Sequence, residues 1–182
     1  MPYDGQITQD IAIQLRGSRT VQNIFLMTSS AQAELPEAIS DARWLKVGNL
    51  TSSNTMMEVA ENAKADYVLL MTKVAKLTIG QQALERMLRV ASDSNAAMVY
   101  ADRSGHPAID YFTGSIRDDF DFGALLLIKT SLLHTFAMQA GEHDYHYAGL
   151  YALRLFLSRE GSIFHINECL YTEEETDLRA SG

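Results

Sequence analysis

Strand-forming runs and amphipathic helical stretches alternate along this chain, and that alternation predicts an α/β domain of three layers, α/β/α, built on a mostly parallel sheet. Three observations carry the prediction. Short apolar runs rich in strand formers recur at 21–27, 44–47, 67–71, 96–100, 124–128 and 162–166. Segments whose apolar residues follow a helical spacing lie between them. The run Tyr67-Val68-Leu69-Leu70-Met71 is apolar at every position, the pattern of a strand covered on both faces and therefore central in its sheet.

Each element has its own signal. Ile7, Ile11 and Leu15 stand four apart and predict a first helix over 6–15, closed by Gly17 and Ser18. The strand at 21–27 leads into the polar Thr28-Ser29-Ser30, and the strand at 44–47 ends at Gly48. A helix over 55–63 opens with Thr55 and Glu58 in capping-box spacing. The next helix, 80–91, lines up Leu84, Met87, Leu88 and Ala91. Residues 102–123 form a long polar segment, read as a working loop. A short helix over 131–138 stops at Gly141, and a long one over 146–159, with Leu150, Leu153 and Leu157 on one face, stops at Gly161. Residues 173–182 read as an acidic, polar tail behind a single domain spanning 1–172.

Composition narrows the function. With 182 residues, 47% hydrophobic and 21% charged, the chain reads as one soluble globular domain. It has no apolar run of about 18 residues for a transmembrane helix, and residues 1–16 lack a signal-peptide layout. One cysteine, Cys169, excludes an internal disulfide framework and leaves the cytoplasm as the default compartment. A net charge of −8 argues against nucleic acid and anionic membranes as partners. It leaves room for a small phosphorylated ligand held by a few amides and cations, and for a homo-oligomer.

In open α/β sheets, ligands bind beyond the carboxyl ends of the strands. The candidates for ligand contact there are Ser29, Ser53 and Asn54 at a helix start, Thr72 and Lys73 after the apolar strand, and Asp102. Lys73 is equally a solvated loop lysine, and Ser52-Ser53-Asn54-Thr55 caps its helix whatever else it does. The run Gly114-Ser115-Ile116-Arg117-Asp118-Asp119-Phe120-Asp121-Phe122-Gly123 interleaves Arg117, Asp118, Asp119 and Asp121 with aromatics. That mixture suits sugar recognition, and its phenylalanines equally suit plugging a core. His143 and His146 stand three apart beside Asp144 and are read as a polar helix start rather than a metal site.

The order of these elements resembles the family 2 glycosyltransferases of the GT-A, nucleotide-diphospho-sugar transferase-like fold. Three stretches carry the likeness: Ala65-Asp66-Tyr67-Val68-Leu69-Leu70-Met71, Ala97-Met98-Val99-Tyr100-Ala101-Asp102, and Leu150-Tyr151-Ala152-Leu153-Arg154-Leu155 with Gly161 to Tyr171 behind it. The resemblance implies a bacterial enzyme moving a sugar from a nucleoside diphosphate sugar to a hydroxyl acceptor. It implies a carboxylate base near the late helix, for which Asp144 is the candidate and Glu142 the substitute. The chain departs from the family in three places. Thr72-Lys73-Val74 stands where the metal-binding DxD is expected, so Lys73 takes the cation's place. No metal ligand is therefore assigned, and Mg²⁺ or Mn²⁺ remains an option through Asp102 and the three aspartates at 118–121. Ser29 and Ser30 stand where a uracil-contacting aspartate is expected, and the family's first strand is not found ahead of the first helix. These losses keep a second function open, a catalytically silent domain that binds a nucleotide sugar or a partner protein. A nucleotidyltransferase is the weaker third reading, since its glycine-rich basic loop is not seen.

Overall fold

The computed structural model describes residues 1–30, 35–117, 119–140 and 145–174. The elements run α1 (Gly5–Arg16), β1 (Phe25–Thr28), β2 (Arg43–Lys46), α2 (Ser53–Asn62), β3 (Tyr67–Met71), β4 (Lys76–Ile79), α3 (Ala83–Ser94), β5 (Met98–Arg103), β6 (Leu125–Lys129), α4 (Thr130–Ala140), α5 (Gly149–Glu160) and β7 (Ile163–Glu174). A 3-10 turn, Glu37–Ile39, precedes β2. None of the helices described is long and apolar enough to cross a membrane.

The three layers follow from the period-2 alternation of the strands. Leu126 and Ile128 of β6 join Leu70, Met98 and Tyr100 under α2, α4 and α5, where Met56, Leu133, Phe136, Leu153 and Leu157 cover them. Leu125 and Met71 face the other way, toward Ile11, Leu15 and Leu84 of α1 and α3. Leu127 and Val99 meet Met87 and Ala91 of α3 on that same side. This is the three-layer α/β/α architecture that the alternation predicts.

Strand direction differs from the expected mostly parallel sheet. β1 and β2 form a parallel pair, joined by a parallel bridge between Pro2 and Met27. The other five strands are ordered β3-β6-β5-β7-β4. Within that sheet β5 and β7 are parallel, whereas β6 opposes both β3 and β5, and β4 opposes β7. The reason lies in the connections. Parallel neighbours need a crossover of a dozen or more residues, usually a helix. The described residues of the 104–124 link between β5 and β6 include no helix, and β6 returns alongside β5 in the opposite sense. Among the described residues β3, expected at the centre, pairs with β6 alone and stands at the edge of the five-stranded sheet.

Other boundaries move for identifiable reasons. The cap of α2 is Ser52, whose Oγ accepts the Thr55 N–H at 3.1 Å, not the Thr55 and Glu58 pair. β4 has no apolar signal because only Leu77 of its four residues is buried. α3 starts at Ala83, since the Gly80 N–H is spent on the Leu170 carbonyl at 2.9 Å. α3 ends at Asn95, whose φ of 52° is the left-handed stop that glycine and asparagine tolerate. β7 continues to Glu174, into the stretch read as an acidic tail, because β4 pairs with it from Tyr171 to Glu174. Residues 175–182 lie outside the described residues.

Candidate functional site

The carboxyl end of β3 delivers Thr72 and Lys73, and the carboxyl end of β5 delivers Asp102 and Arg103. The loop 104–124 comes back to the same place before β6 begins. The Thr72 N–H donates to the Ala124 carbonyl at 3.0 Å, and its hydroxyl lies 3.4 Å from the Gly123 carbonyl. Asp121 accepts from two donors, the Gly123 N–H at 2.8 Å and Arg103 Nη2 at 2.6 Å. From β7, Glu173 pairs with Lys73, and its other carboxylate oxygen lies 3.3 Å from Arg103 Nε as an ion pair. From α5, the Arg154 guanidinium lies 5.3 Å from the centre of the Phe122 ring, with Nη1 3.5 Å from the Phe120 carbonyl.

Three cations, Lys73, Arg103 and Arg154, thus surround two carboxylates, Asp121 and Glu173. Burial pulls the Asp121 carboxyl upward, but the Gly123 N–H and Arg103 outweigh it and hold Asp121 below its usual value. Burial likewise works against the charge on Arg103, and Asp121 and Glu173 more than offset it. Arg154 is the exception. Burial lowers its affinity for the proton, Asp121 only partly compensates, and its buried Nε has no hydrogen-bond partner among the described residues. Lys73 is more accessible than Arg103, with 44% of its side chain exposed against 13%.

Asp102 belongs to a neighbouring cluster. Its Oδ1 accepts the Ala108 N–H at 2.7 Å and lies 2.9 Å from His165 Nε2. The other ring nitrogen of His165 lies 2.6 Å from Asp110 Oδ1, and the ring stacks on Tyr100 at 4.6 Å. The Tyr100 hydroxyl donates to the Ile109 carbonyl and accepts the Tyr111 N–H. Burial, against the lowering by the Tyr111 N–H, pushes the Tyr100 phenol up to about 12. These bonds pin the start of the long loop onto the sheet, and they occupy the carboxylate that the sequence offers for sugar or metal contact.

The remaining predicted residues are dispersed. Ser53 is fully buried: its N–H donates to the Tyr145 carbonyl at 2.9 Å and its hydroxyl accepts the Tyr145 N–H at 3.2 Å. The groups that a phosphate would use are therefore taken by the segment leading into α5. Asn54 is exposed on the first turn of α2, and Ser29 is exposed just beyond β1. Arg117 and Asp119 form a bidentate pair with each other, at 3.0 and 2.6 Å, on an exposed stretch of loop. Asp118 and the proposed base Asp144 lie outside the described residues. Among the described residues no three His, Cys, Asp or Glu side chains converge as a metal-binding set, and Asp121 and Glu173 are both engaged by cations.

Sequence reasoning missed Arg103, Glu173, Arg154, His165 and Tyr171. Only Arg154 carries a local signal, a lone cation between Leu153 and Leu155 in an otherwise apolar helix stretch. Glu173 was hidden by the acidic character of the stretch around it.

Known proteins place this geometry in a fold but not in a family. No family model matches the chain, and no curated protein matches it. A solved structure that matches is that of the bifunctional IspDF from Campylobacter jejuni, with a TM-score of 0.51 and 10% sequence identity over 92% of this chain. The chain spans 43% of the length of that protein. Membership of glycosyltransferase family 2, implied by the order of three motif-like stretches, is therefore corrected: no family matches, and the structural likeness leads to IspDF instead. Those stretches are apolar strands and an amphipathic helix, features any domain of this architecture needs to build its core. The chain has the three-layer α/β/α, nucleotide-diphospho-sugar transferase-like fold.

Proposed function

We propose that this chain binds a nucleoside diphosphate, free or joined to a sugar, at the carboxyl ends of β3 and β5. The observation that supports the reading most is the gathering of Lys73, Arg103 and Arg154 at strand ends, on a chain of net charge −8. Three cations brought together beside the strand ends of an acidic protein favour a small anion there. Lys73 is the group that meets the diphosphate, exchanging Glu173 for a phosphate oxygen in a charge-assisted hydrogen bond. Asp121 and Glu173 are both engaged by cations, so in this reading side chains supply the neutralising charge.

Calorimetric titration of uridine, guanosine and adenosine diphosphates and their glucose conjugates tests this. One of them binds, and Lys73→Ala weakens it by about 1–3 kcal/mol. Absence of binding by all of them, or equal affinity in the variant, refutes the reading. Sugar transfer would require a base in addition, with Asp144 as the candidate. Loss of donor in the same samples, with a hydroxyl acceptor present, distinguishes a transferase from a domain that only binds.

A further inference from the structure

Residues 108–111 of the long loop are fastened to the sheet around one pair of rings. β5 and β7 run parallel with Tyr100 opposite His165, and the two rings lie flat on each other, 4.6 Å apart and 4° from parallel. Asp102, two residues beyond Tyr100, projects from the same face of β5 and puts Oδ1 2.9 Å from His165 Nε2. The loop supplies the other partner, with Asp110 Oδ1 2.6 Å from Nδ1. On either side of Asp110, the Ile109 carbonyl and the Tyr111 N–H bond to the Tyr100 hydroxyl, at 2.8 and 2.9 Å.

A carboxylate can only accept, and a neutral imidazole has a single N–H. Hydrogen-bonding distances from both ring nitrogens to carboxylate oxygens therefore need a second proton in the Asp102–His165–Asp110 set. Placed on the ring, it makes an imidazolium that donates to both sides, and charge-assisted bonds of this kind are the short, strong ones. The surroundings suit that charge: the His165 side chain is 8% exposed, and among the described residues no lysine or arginine pairs with Asp102 or Asp110. From β5 the ring faces Asp102 and Tyr100, and from the loop Asp110. Arg154 of α5 packs over Phe122, whose ring meets Tyr100 at 4.9 Å. His106, earlier in the loop, is the other histidine nearby in sequence.

The two carboxylates are not equally held. Asp102 is 18% exposed, and its Oδ1 also accepts the Ala108 N–H at 2.7 Å. Asp110 is 59% exposed, and the contact with Nδ1 is the one hydrogen bond its carboxylate makes among the described residues. A ring with a single proton keeps it on Nε2 toward Asp102, which leaves the lone pairs of Nδ1 and Asp110 Oδ1 facing each other. Asp110 is then the group that withdraws into water.

We propose that Asp102, His165 and Asp110 form a proton-operated latch on the long loop. With both ring nitrogens protonated, Asp110 is clasped and residues 108–111 lie against the sheet. Loss of the Nδ1 proton to water releases Asp110 and loosens the bonds of Ile109 and Tyr111 to the Tyr100 hydroxyl. The freed segment carries Ile109 and leads into Phe112, two large apolar side chains that are already exposed. Histidine is the side chain that ordinarily changes charge near neutral pH, so rising pH opens the latch.

Two readings at about pH 5 and about pH 9, on either side of the range in which histidine ordinarily changes charge, test this. Nitrogen-15 spectra of the His165 ring are expected to show protons on both nitrogens at the lower pH and on Nε2 alone at the higher. The amide-exchange protection factor of Tyr111, corrected for the intrinsic effect of pH, is expected to fall by about tenfold or more, with Val99 and Leu127 of the sheet unchanged. Asp110→Asn removes the need for the second proton, because its amide donates to an unprotonated Nδ1, and Tyr111 is expected to stay protected at both pH values. His165→Gln is expected to leave Tyr111 poorly protected at both, and His106→Asn to keep the profile of the parent. The proposal is overturned if Tyr111 in the parent is equally protected at both pH values, or if the ring holds one proton at the lower. It is also overturned if Asp110→Asn opens as the parent does, if His165→Gln protects Tyr111 as the parent does at the lower pH, or if His106→Asn abolishes the pH dependence. If His165→Gln fails to fold, the ring spectra and Asp110→Asn decide.

Discussion

The Tyr171 hydroxyl occupies the space that a side chain at position 123 would need: a Cβ on Gly123 would overlap it, and Gly123 has a φ of +82°. That hydroxyl also accepts the Ala124 N–H at 3.1 Å, so the turn that feeds Asp121 into the cation cluster is locked onto β7. Gly123→Ala meets both the overlap and a backbone region costing about 1–3 kcal/mol for other residues, so a loss of at least 2 kcal/mol is expected in urea denaturation. Tyr171→Phe leaves a buried N–H unpaired at a cost of about 1–3 kcal/mol. Because the hydroxyl is the obstructing atom, the double variant should lose clearly less than the sum of the two. Additive losses would mean that the two residues do not constrain each other.

Glu173 holds the two cations that a diphosphate would have to reach. Glu173→Gln keeps the shape and removes the competing charge, so nucleoside diphosphate affinity is expected to rise by up to about tenfold, or 1.4 kcal/mol. Equal or weaker calorimetric affinity would show that Lys73 does not need to leave Glu173 in order to bind.

Metal should matter little to that binding. Hard divalent cations need several oxygen ligands, and the carboxylates nearest Lys73 are already committed to arginine and lysine. Nucleotide affinity is expected to change by less than about tenfold, or 1.4 kcal/mol, when Mn²⁺ is added. A larger rise would turn attention to the aspartates at 118–121.

The start of α5 rests directly on the start of α2. A Cβ at Gly149 would overlap the backbone of Ser52 and Ser53, where the Leu150 N–H donates to the Thr51 carbonyl at 2.9 Å. Glycine-to-alanine changes in exposed helices stabilise by up to about 1 kcal/mol. Here the overlap decides the sign, and Gly149→Ala is expected to cost toward the top of the overpacking range of about 1–3 kcal/mol. A variant with a raised melting temperature would refute this packing.

Tyr100 predicts a specific alkaline weakness. Its phenol is pushed up from 10.0 to about 12 in the folded protein, mainly by burial. A group whose pKa is raised on folding contributes stability fully present below its unfolded value and lost as pH rises through its folded one. The window is therefore pH 10 to 12, and two units at 1.36 kcal/mol each set an upper bound of roughly 2.7 kcal/mol. Tyr100→Phe lacks this contribution, so its stability relative to the parent should improve by up to that amount between pH 10 and 12. A difference that is flat across that range would exclude Tyr100 as the source.

Local pattern alone determined the architecture. Alternation of apolar runs with helical spacing specified three layers, and the Tyr67–Met71 run specified one strand to the residue. Periodicity is a property of neighbours in sequence, so it survives without knowledge of the fold. It also placed Lys73 just past a strand end, where ligands of such sheets bind. The likeness to glycosyltransferase family 2 misled because the stretches behind it encode core packing, which unrelated domains of the same architecture share. Only the tertiary structure decided which groups meet and which are left free. Glu173 reaches Lys73 across a hundred positions of sequence, Arg154 comes up under Phe122 from another layer, and Tyr145 engages the N–H and hydroxyl of Ser53 that the sequence offered to a phosphate. The reversed direction of β6 and the edge position of β3 belong to the same class. A pairing energy depends on the partner brought opposite and on the water excluded around it, and both are set by long-range packing that no window of sequence contains.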